Sequence, residues 1–271
     1  MIEIESAGVS ECGRRPINED RIGSSIPNDA GLRERKGALF VLADGLGGHV
    51  GGDIASETAV RTLIDDYYAP SSHGRVETAL QRAVQAANLR IYQLALSDSD
   101  LRTMATTLVA LAVTDAQAYI AHVGDSRVYH WRDGRLSLLT NDHSEAAELA
   151  RLGFIRRERL RDHPARNALT RTLGSDLIVR PDFIRRPVAA GDRFLLCSDG
   201  LWSVISDDEL SDALAGDAAQ ACRSLADTAL SAGSEDNVSV QVAHVIATSG
   251  VAEPSGGGWR HSFFARGRSA P

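Results

Sequence analysis

Ala38-Leu39-Phe40-Val41-Leu42-Ala43-Asp44-Gly45-Leu46-Gly47-Gly48 is the stretch that decides how this chain folds. Six consecutive apolar residues bounded by a glycine-rich turn read as a strand buried on both faces, so material must pack on each side of its sheet. The strand exits on a carboxylate, and the arrangement recurs elsewhere. Asp199 ends Phe194-Leu195-Leu196-Cys197-Ser198, Asp125 follows Tyr119-Ile120-Ala121-His122-Val123-Gly124, and Asp236 lies just ahead of Val238-Ser239-Val240-Gln241-Val242. Asp20 closes Arg15-Pro16-Ile17-Asn18-Glu19. Carboxylates at the mouths of buried strands are costly unless a positive charge compensates them. Lys36 is the only lysine in the chain. An oxygen-only cluster of this kind suits a hard divalent cation, Mg²⁺ or Mn²⁺.

Outward from that strand, residues 2–9 alternate weakly, as a first edge strand would. Apolar spacing predicts helices over 53–68 and 75–96. Strands are expected at about 106–113, 118–124, 126–132 and 136–139, with Asp133-Gly134 as the hairpin turn between the last two. Residues 144–171 are rich in arginine and weakly periodic, with one short helix near 145–152, and read as a mobile excursion over a rigid scaffold. Strands return near 178–187 and 193–198, helices near 207–215 and 217–232, and a last strand at 237–246. Many strands with short turns and separate pairs of long helices indicate an α+β protein with helices outside antiparallel sheets. Residues 1–247 are expected to form one domain, and 248–271, with Gly256-Gly257-Gly258, a disordered tail. Deleting 249–271 is expected to leave melting temperature and turnover unchanged. A loss of several degrees would show that the cluster Trp259-Arg260-His261-Ser262-Phe263-Phe264 is packed against something.

The chain has 271 residues, 43% of them hydrophobic and 24% charged, values of an ordinary globular protein. A formal net charge of −7 argues against a dedicated nucleic-acid binder. No signal-peptide pattern opens the sequence and no apolar run approaches a membrane span. Cys12, Cys197 and Cys222 are odd in number and lack a CxxC pair, which fits a reduced cytoplasm. Spacing removes several chemistries. The sixth residues after the cysteines are Asn18, Ser203 and Thr228, so the arginine of a cysteine-dependent phosphatase is missing. Lys36 is followed by Gly37-Ala38 rather than the Ser or Thr of a P-loop, no kinase HRD loop or GxSxG elbow occurs, and Val50 stands where GxGxxG needs its third glycine. EF-hand spacing is absent as well.

Six strings carry the acidic residues: Arg15-x-x-Asn18-Glu19-Asp20, Asp44-Gly45-Leu46-Gly47-Gly48-His49, Gly124-Asp125-Ser126-Arg127-Val128-Tyr129, Leu139-Thr140-Asn141-Asp142-His143-Ser144, Ser198-Asp199-Gly200-Leu201-Trp202 and Asp236-Asn237-Val238. In this order they resemble the bacterial form of the metal-dependent PPM (type 2C) protein serine/threonine phosphatases, over residues 6 to 246. The resemblance implies a four-layer α/β/β/α sandwich: two antiparallel sheets, a helix pair on each outer face, a flap near 144–171 and a two-metal site at one end between the sheets. Carried over by position, Asp44 would bridge two Mn²⁺ or Mg²⁺ ions, with the Gly45 carbonyl on one and Asp199 and Asp236 on the other. Asp20, beside Glu19, would bind metal-held water. Arg15 would grip the substrate phosphate with its planar fork, although Gly13-Arg14-Arg15 is one residue shorter than the commoner bacterial spacing. Asp125, shared with Asp199, matches the ligand of a third, weaker metal.

The resemblance further implies direct attack on phosphorus by a metal-bridging hydroxide, with no phosphoenzyme. Eukaryotic relatives carry a histidine after the Asp-Gly pair as general acid, where this chain has Leu46; His49, a metal-bound water or another histidine remain as alternatives. The flap includes His163-Pro164-x-Arg166-Asn167-x-Leu169-Thr170-Arg171, and its arginines (151, 156, 157, 159, 161 and 166) either lie solvated or attract acidic phosphoprotein segments. Expected partners are phosphoproteins, above all a Ser/Thr kinase and its targets, met by a cytoplasmic monomer with no nucleic acid and no membrane insertion. The GxRR-x-x-NED opening is similar to that of phosphatases opposing a kinase in type VI secretion. The other reading is a phosphatase-fold regulatory module acting through partner binding, for instance on an anti-sigma-factor antagonist; the intact metal positions count against it.

Overall fold

The computed structural model describes residues 2–46, 51–70, 72 and 74–249. Eleven strands form two antiparallel sheets. The first contains β1 (Glu3–Glu11), β7 (Arg127–Arg132), β8 (Arg135–Leu138), β10 (Arg193–Cys197) and β11 (Val238–Ala247), in the order β1-β11-β10-β7-β8. The second contains β2 (Asp20–Ser25), β3 (Ala38–Leu46), β5 (Leu108–Val113), β6 (Gln117–Val123) and β9 (Asp182–Pro187) in that order, with the two-residue β4 (Ala105–Thr106) paired to β3. Helices α2 (Gly52–Tyr68) and α3 (Val76–Ser97) cover the second sheet. Helices α6 (Asp207–Leu214) and α7 (Ala218–Ser231) cover the first.

The doubly apolar β3 follows from its place in this stack. Leu39, Val41 and Ala43 pack with Ala59 and Leu63 of α2 and Leu80 and Val84 of α3. Ala38, Phe40 and Leu42 turn the other way, against Phe194, Leu196, Ala243 and Val245 of the facing sheet. Successive side chains of a strand point to opposite faces, so only an all-apolar sequence satisfies both. On the far side Leu195, Cys197, Val240 and Val242 meet Leu210, Leu214 and Leu225 of the second helix pair. The four layers expected from the resemblance are therefore present.

The Asp133-Gly134 turn has φ of 51° and 76° at its two residues, the left-handed pair that a two-residue hairpin between β7 and β8 requires. Differences from the sequence reading are local. β2 and the helix α1 (Ala30–Lys36) were not anticipated. β2, Asp-Arg-Ile-Gly-Ser-Ser, is too polar to signal a strand and forms by pairing with β3. The strand expected from 178 begins at Asp182, where pairing with β6 starts. The short α4 (Glu145–Arg151), capped by Ser144, opens the flap, and α5 (Asp199–Trp202) is a single turn after β10. The flap is fastened to the body by Arg161, which donates to the Ile205 carbonyl and to Asp207, each at 2.6 Å. Ser249 is hydrogen-bonded to Asp115; the expected tail from residue 250 on, including Trp259 to Phe264, lies outside the described residues. No described helix is long and apolar enough to cross a membrane.

Candidate active site

At one end of the sandwich, five chain segments deliver their carboxylates to a common mouth. Asp20 opens β2 and stands opposite Asp44 in the β2–β3 register. Asp125 lies in the crossing from β6, in one sheet, to β7, in the other. Asp199 follows β10 and Asp236 precedes β11. These acids feel one another. Burial first, then the charges of Asp20 and Asp199, push the Asp44 carboxyl far above the usual range. Burial raises Asp199 to about 7, with Asp236 and Asp20 adding to the rise. Asp20 rises to about 6, burial again leading, although hydrogen bonds from serines pull it back. Asp125 is pushed well up by burial and by Asp199. Such shifts mark a site whose negative charge is not matched by protein cations.

Glu19 sits at the rim, raised by burial and by Asp53. A Cβ on Gly52, the first residue of α2, would lie 2.4 Å from its Oε1, so the carboxylate rests against the helix N-terminus, where negative charge is favoured. Gly45 is wedged so tightly that a Cβ would come within 2.1 Å of the Gly52 carbonyl oxygen and 2.7 Å of that of Glu19. Only glycine lets these three stretches of backbone meet. Arg15, rather than Arg14, reaches the mouth: its Nη2 donates to Asp236 Oδ2 at 2.8 Å, and its charge also acts on Asp199 and Glu19. The pair is half-exposed, which leaves the fork free to turn to an incoming anion. His49, a candidate acid from the sequence, lies outside the described residues.

Several supporting residues were quoted in the motifs without a role, and one lay outside them. Thr107, the unquoted one, has an Oγ1 that accepts from the Asp44 amide at 3.0 Å and bonds Ser126 Oγ at 2.7 Å. Ser198 Oγ donates to Asp20 Oδ2 at 2.8 Å while accepting from the Ser239 amide, and so ties the sheets together at the mouth. Asn237 accepts from the Glu19 amide and donates to the carbonyls of Cys12 and Ile17, shaping the loop that carries Arg15. Of the flap arginines, Arg166 acts electrostatically on Asp199 and donates to the Arg161 carbonyl, while Arg151 pairs with Glu148 on the surface. Arg156 and Arg159 are exposed.

Beneath Asp125, Arg127 makes a two-pronged ion pair with Asp142 at 3.0 and 2.7 Å and lies 3.6 Å over the Trp202 ring. Trp202 Nε1 donates to the Asp125 carbonyl at 2.9 Å. Both charges are nearly buried, at 6% and 3% side-chain exposure, so losing one strands the other. Asp142→Ala should therefore cost about 3–5 kcal/mol, read as a lowered urea midpoint. A midpoint within error of the parent would show that Arg127 finds water instead.

Sheets and helix pairs together form a four-layer sandwich with an acidic mouth at one end. The sequence matches the family model for protein phosphatase 2C over residues 17–242. It is 38% identical over 232 residues to the serine/threonine phosphatase Stp of Listeria welshimeri, covering 81% of this chain and 90% of that protein. The structure superposes with a TM-score of 0.79 on the catalytic domain of the serine/threonine protein phosphatase PstP in complex with two manganese ions, at 33% identity, covering 91% of this chain and 100% of that one. It also superposes, at 0.74 and 33%, on PppA, a regulatory component of type VI secretion in Pseudomonas aeruginosa, covering 90% of this chain and 98% of that one. The chain belongs to the protein phosphatase 2C family and is a protein serine/threonine phosphatase.

Proposed function

We propose that residues 1–247 act as one catalytic domain that hydrolyses phosphoserine and phosphothreonine in proteins with two Mn²⁺ or Mg²⁺ ions, and that a third, weaker ion binds beside them. The observation that carries this reading is the crowding of buried and half-buried carboxylates, raised by burial and mutual repulsion, around a mouth that Arg15 and Arg166 face while Arg127 is held beneath by Asp142. An all-oxygen donor set with that excess of charge fits hard divalent ions. Asp44, the Gly45 carbonyl, Asp199 and Asp236 would hold the two tight ions, Asp20 and Glu19 their waters, and Asp125 with Asp199 the third. When bound, such a pair supplies a nucleophile at neutral pH and offsets charge developing on the phosphoryl group.

The chain's own groups do the rest. Arg15 lets go of Asp236 to fork onto two phosphoryl oxygens and orients the ester. Ser198 keeps Asp20 facing the mouth by donating to Oδ2, and Thr107 fixes the Asp44 backbone so that its carboxylate enters at one angle. Arg166 brings flap charge to the rim, where a phosphoserine in an acidic segment would pass. We further propose that the chain works as a cytoplasmic monomer and reverses the action of a Ser/Thr kinase. Stp, PstP and PppA are all similar to it, and the likeness to PppA is not the greater, so a role in secretion rests on the GxRR-x-x-NED opening and the compact length rather than on that likeness. The test is phosphate release from matched phosphoserine, phosphothreonine and phosphotyrosine peptides with Mn²⁺. Release from the first two but not the third is expected; release from phosphotyrosine at a comparable rate would overturn the substrate assignment.

A further inference from the structure

His143, in the string Leu139–Ser144, has no part in the chemistry above, yet it touches the mouth from behind. Its Nδ1 accepts from the Gly124 amide at 3.1 Å, and its own amide donates to the Gly124 carbonyl at 2.7 Å. Both backbone groups of Gly124 thus end on one residue, immediately before Asp125. Gly124 has φ of +101°, and a Cβ there would lie 2.6 Å from the Thr107 side chain, so the turn permits no other residue. On its other side, His143 Nε2 stands 3.2 Å from Asp182 Oδ2.

A neutral imidazole has one donor and one acceptor nitrogen. With Nδ1 accepting from Gly124, the proton belongs on Nε2, facing Asp182. Arg171 Nη1 lies 3.2 Å from that Nε2 and 3.0 Å from Asp182 Oδ1. Two donors do not bond each other, so Arg171 serves the carboxylate. Among the described residues, His122, His143 and Asp182 are the one group of ligating side chains whose donor atoms all lie within 4.8 Å of one another. A guanidinium already contacts that group and both His143 nitrogens are engaged, which leaves no room in it for a metal. His122, fully buried, lies with its ring 4.6 Å from the His143 ring at a tilt of 32° and fills the space behind it.

We propose that His143 is a positioning residue for Asp125. Asp182 fixes the Nε2–H tautomer, the tautomer presents Nδ1 to the Gly124 amide, and this latch, with Trp202 on the Asp125 carbonyl, sets the angle at which the Asp125 carboxylate enters the mouth. The inference rests on the reading of Asp125 as a ligand of the weaker ion. Partners that orient a ligand typically change metal affinity about 10–100-fold when removed.

Two substitutions separate the halves of the ring. His143→Asn places an amide oxygen near the Nδ1 position and keeps the acceptor for Gly124. His143→Gln reaches the Nε2 position and loses that acceptor. Asp182→Ala removes the acceptor that holds the proton on Nε2; with the Arg171 N–H still beside that nitrogen, the proton moves to Nδ1, Nε2 accepts from Arg171, and the Nδ1–H now facing the Gly124 amide opens the latch with the imidazole still in place. Calorimetric titration of Mn²⁺ into each folded variant, with Asp125→Ala alongside, reads the outcome. Asp125→Ala, His143→Gln and Asp182→Ala should each lose at least about tenfold in the weaker binding phase and keep the tight one, while His143→Asn stays within about twofold of the parent. If Asp125→Ala loses that phase but His143→Gln and Asp182→Ala keep it, the latch is wrong and the metal reading stands. Equal damage from Asn and Gln assigns His143 to packing and also overturns it. An unchanged Asp125→Ala titration removes the third ion itself, and the proposal with it.

Discussion

Asp44→Asn folds normally and turns over at about a hundredth of the parent rate or less. Asp44 is the carboxylate on which the charges of Asp20, Asp199, Asp125 and Asp236 all bear, so it stands at the centre of the mouth. An ion bridged there loses a full charge of binding when Asp becomes Asn, and one oriented electrostatic contact in such sites is worth about 10²–10³-fold in rate. The backbone bonds that place residue 44, to Thr106 and Thr107, survive the change. Because the substitution also removes repulsion, the metal-free variant should melt no lower than the parent. Turnover above roughly a tenth of the parent at saturating Mn²⁺ would show that Asp44 does not bridge.

Chelation abolishes hydrolysis of a small aryl phosphate, and the thermal signature of adding Mn²⁺ back depends on pH. Without a cation, Asp20 titrates at about 6 and Asp199 at about 7, against an ordinary 3.8 for each. Between about pH 4 and 7 the folded chain therefore holds protons that the unfolded chain has released. A fold with raised carboxyl values is most stable below that interval and loses stability as pH rises through it. A divalent ion replaces those protons and restores what was lost. The gain in melting temperature on adding Mn²⁺ should accordingly be larger at about pH 7.5 than at about pH 5. His122 runs the other way: burial holds it at about 3, so its contribution fades as pH falls below the ordinary 6.5. It does so with and without metal and cancels in the difference. Equal gains at both pH values, or full activity after dialysis against chelator, would refute the charge argument.

Much of this was legible from residues alone, for a physical reason. Strand β3 is apolar at every position from 38 to 43 because it is sandwiched on both faces, and that demand is written into sequence without ambiguity. The paired helices announced themselves through their spacing. β2 did not, because its polar residues are held by pairing with β3 rather than by burial. At the mouth, residue type revealed the acids, whose chemistry depends on what they are. Residues that work by where they point, such as Thr107, Ser198 and Asn237, have side chains at home in any turn. His143 was visible in its motif, yet its task depends on Gly124, nineteen positions earlier, and Asp182 on another strand.

The pairing of β1 with β11 has a consequence in time. Among the described strands, β1 pairs with β11 alone, and Asp236 enters the mouth just ahead of β11. Contacts between chain ends close the largest loops and form late in folding. On the ribosome, residues 3–11 must wait until 238–247 have emerged, and until then Arg15 has no Asp236 to face and Glu19 no Asn237 to hold it. A chain that stops short of β11 thus carries most of the mouth's residues without the strand that brings them together.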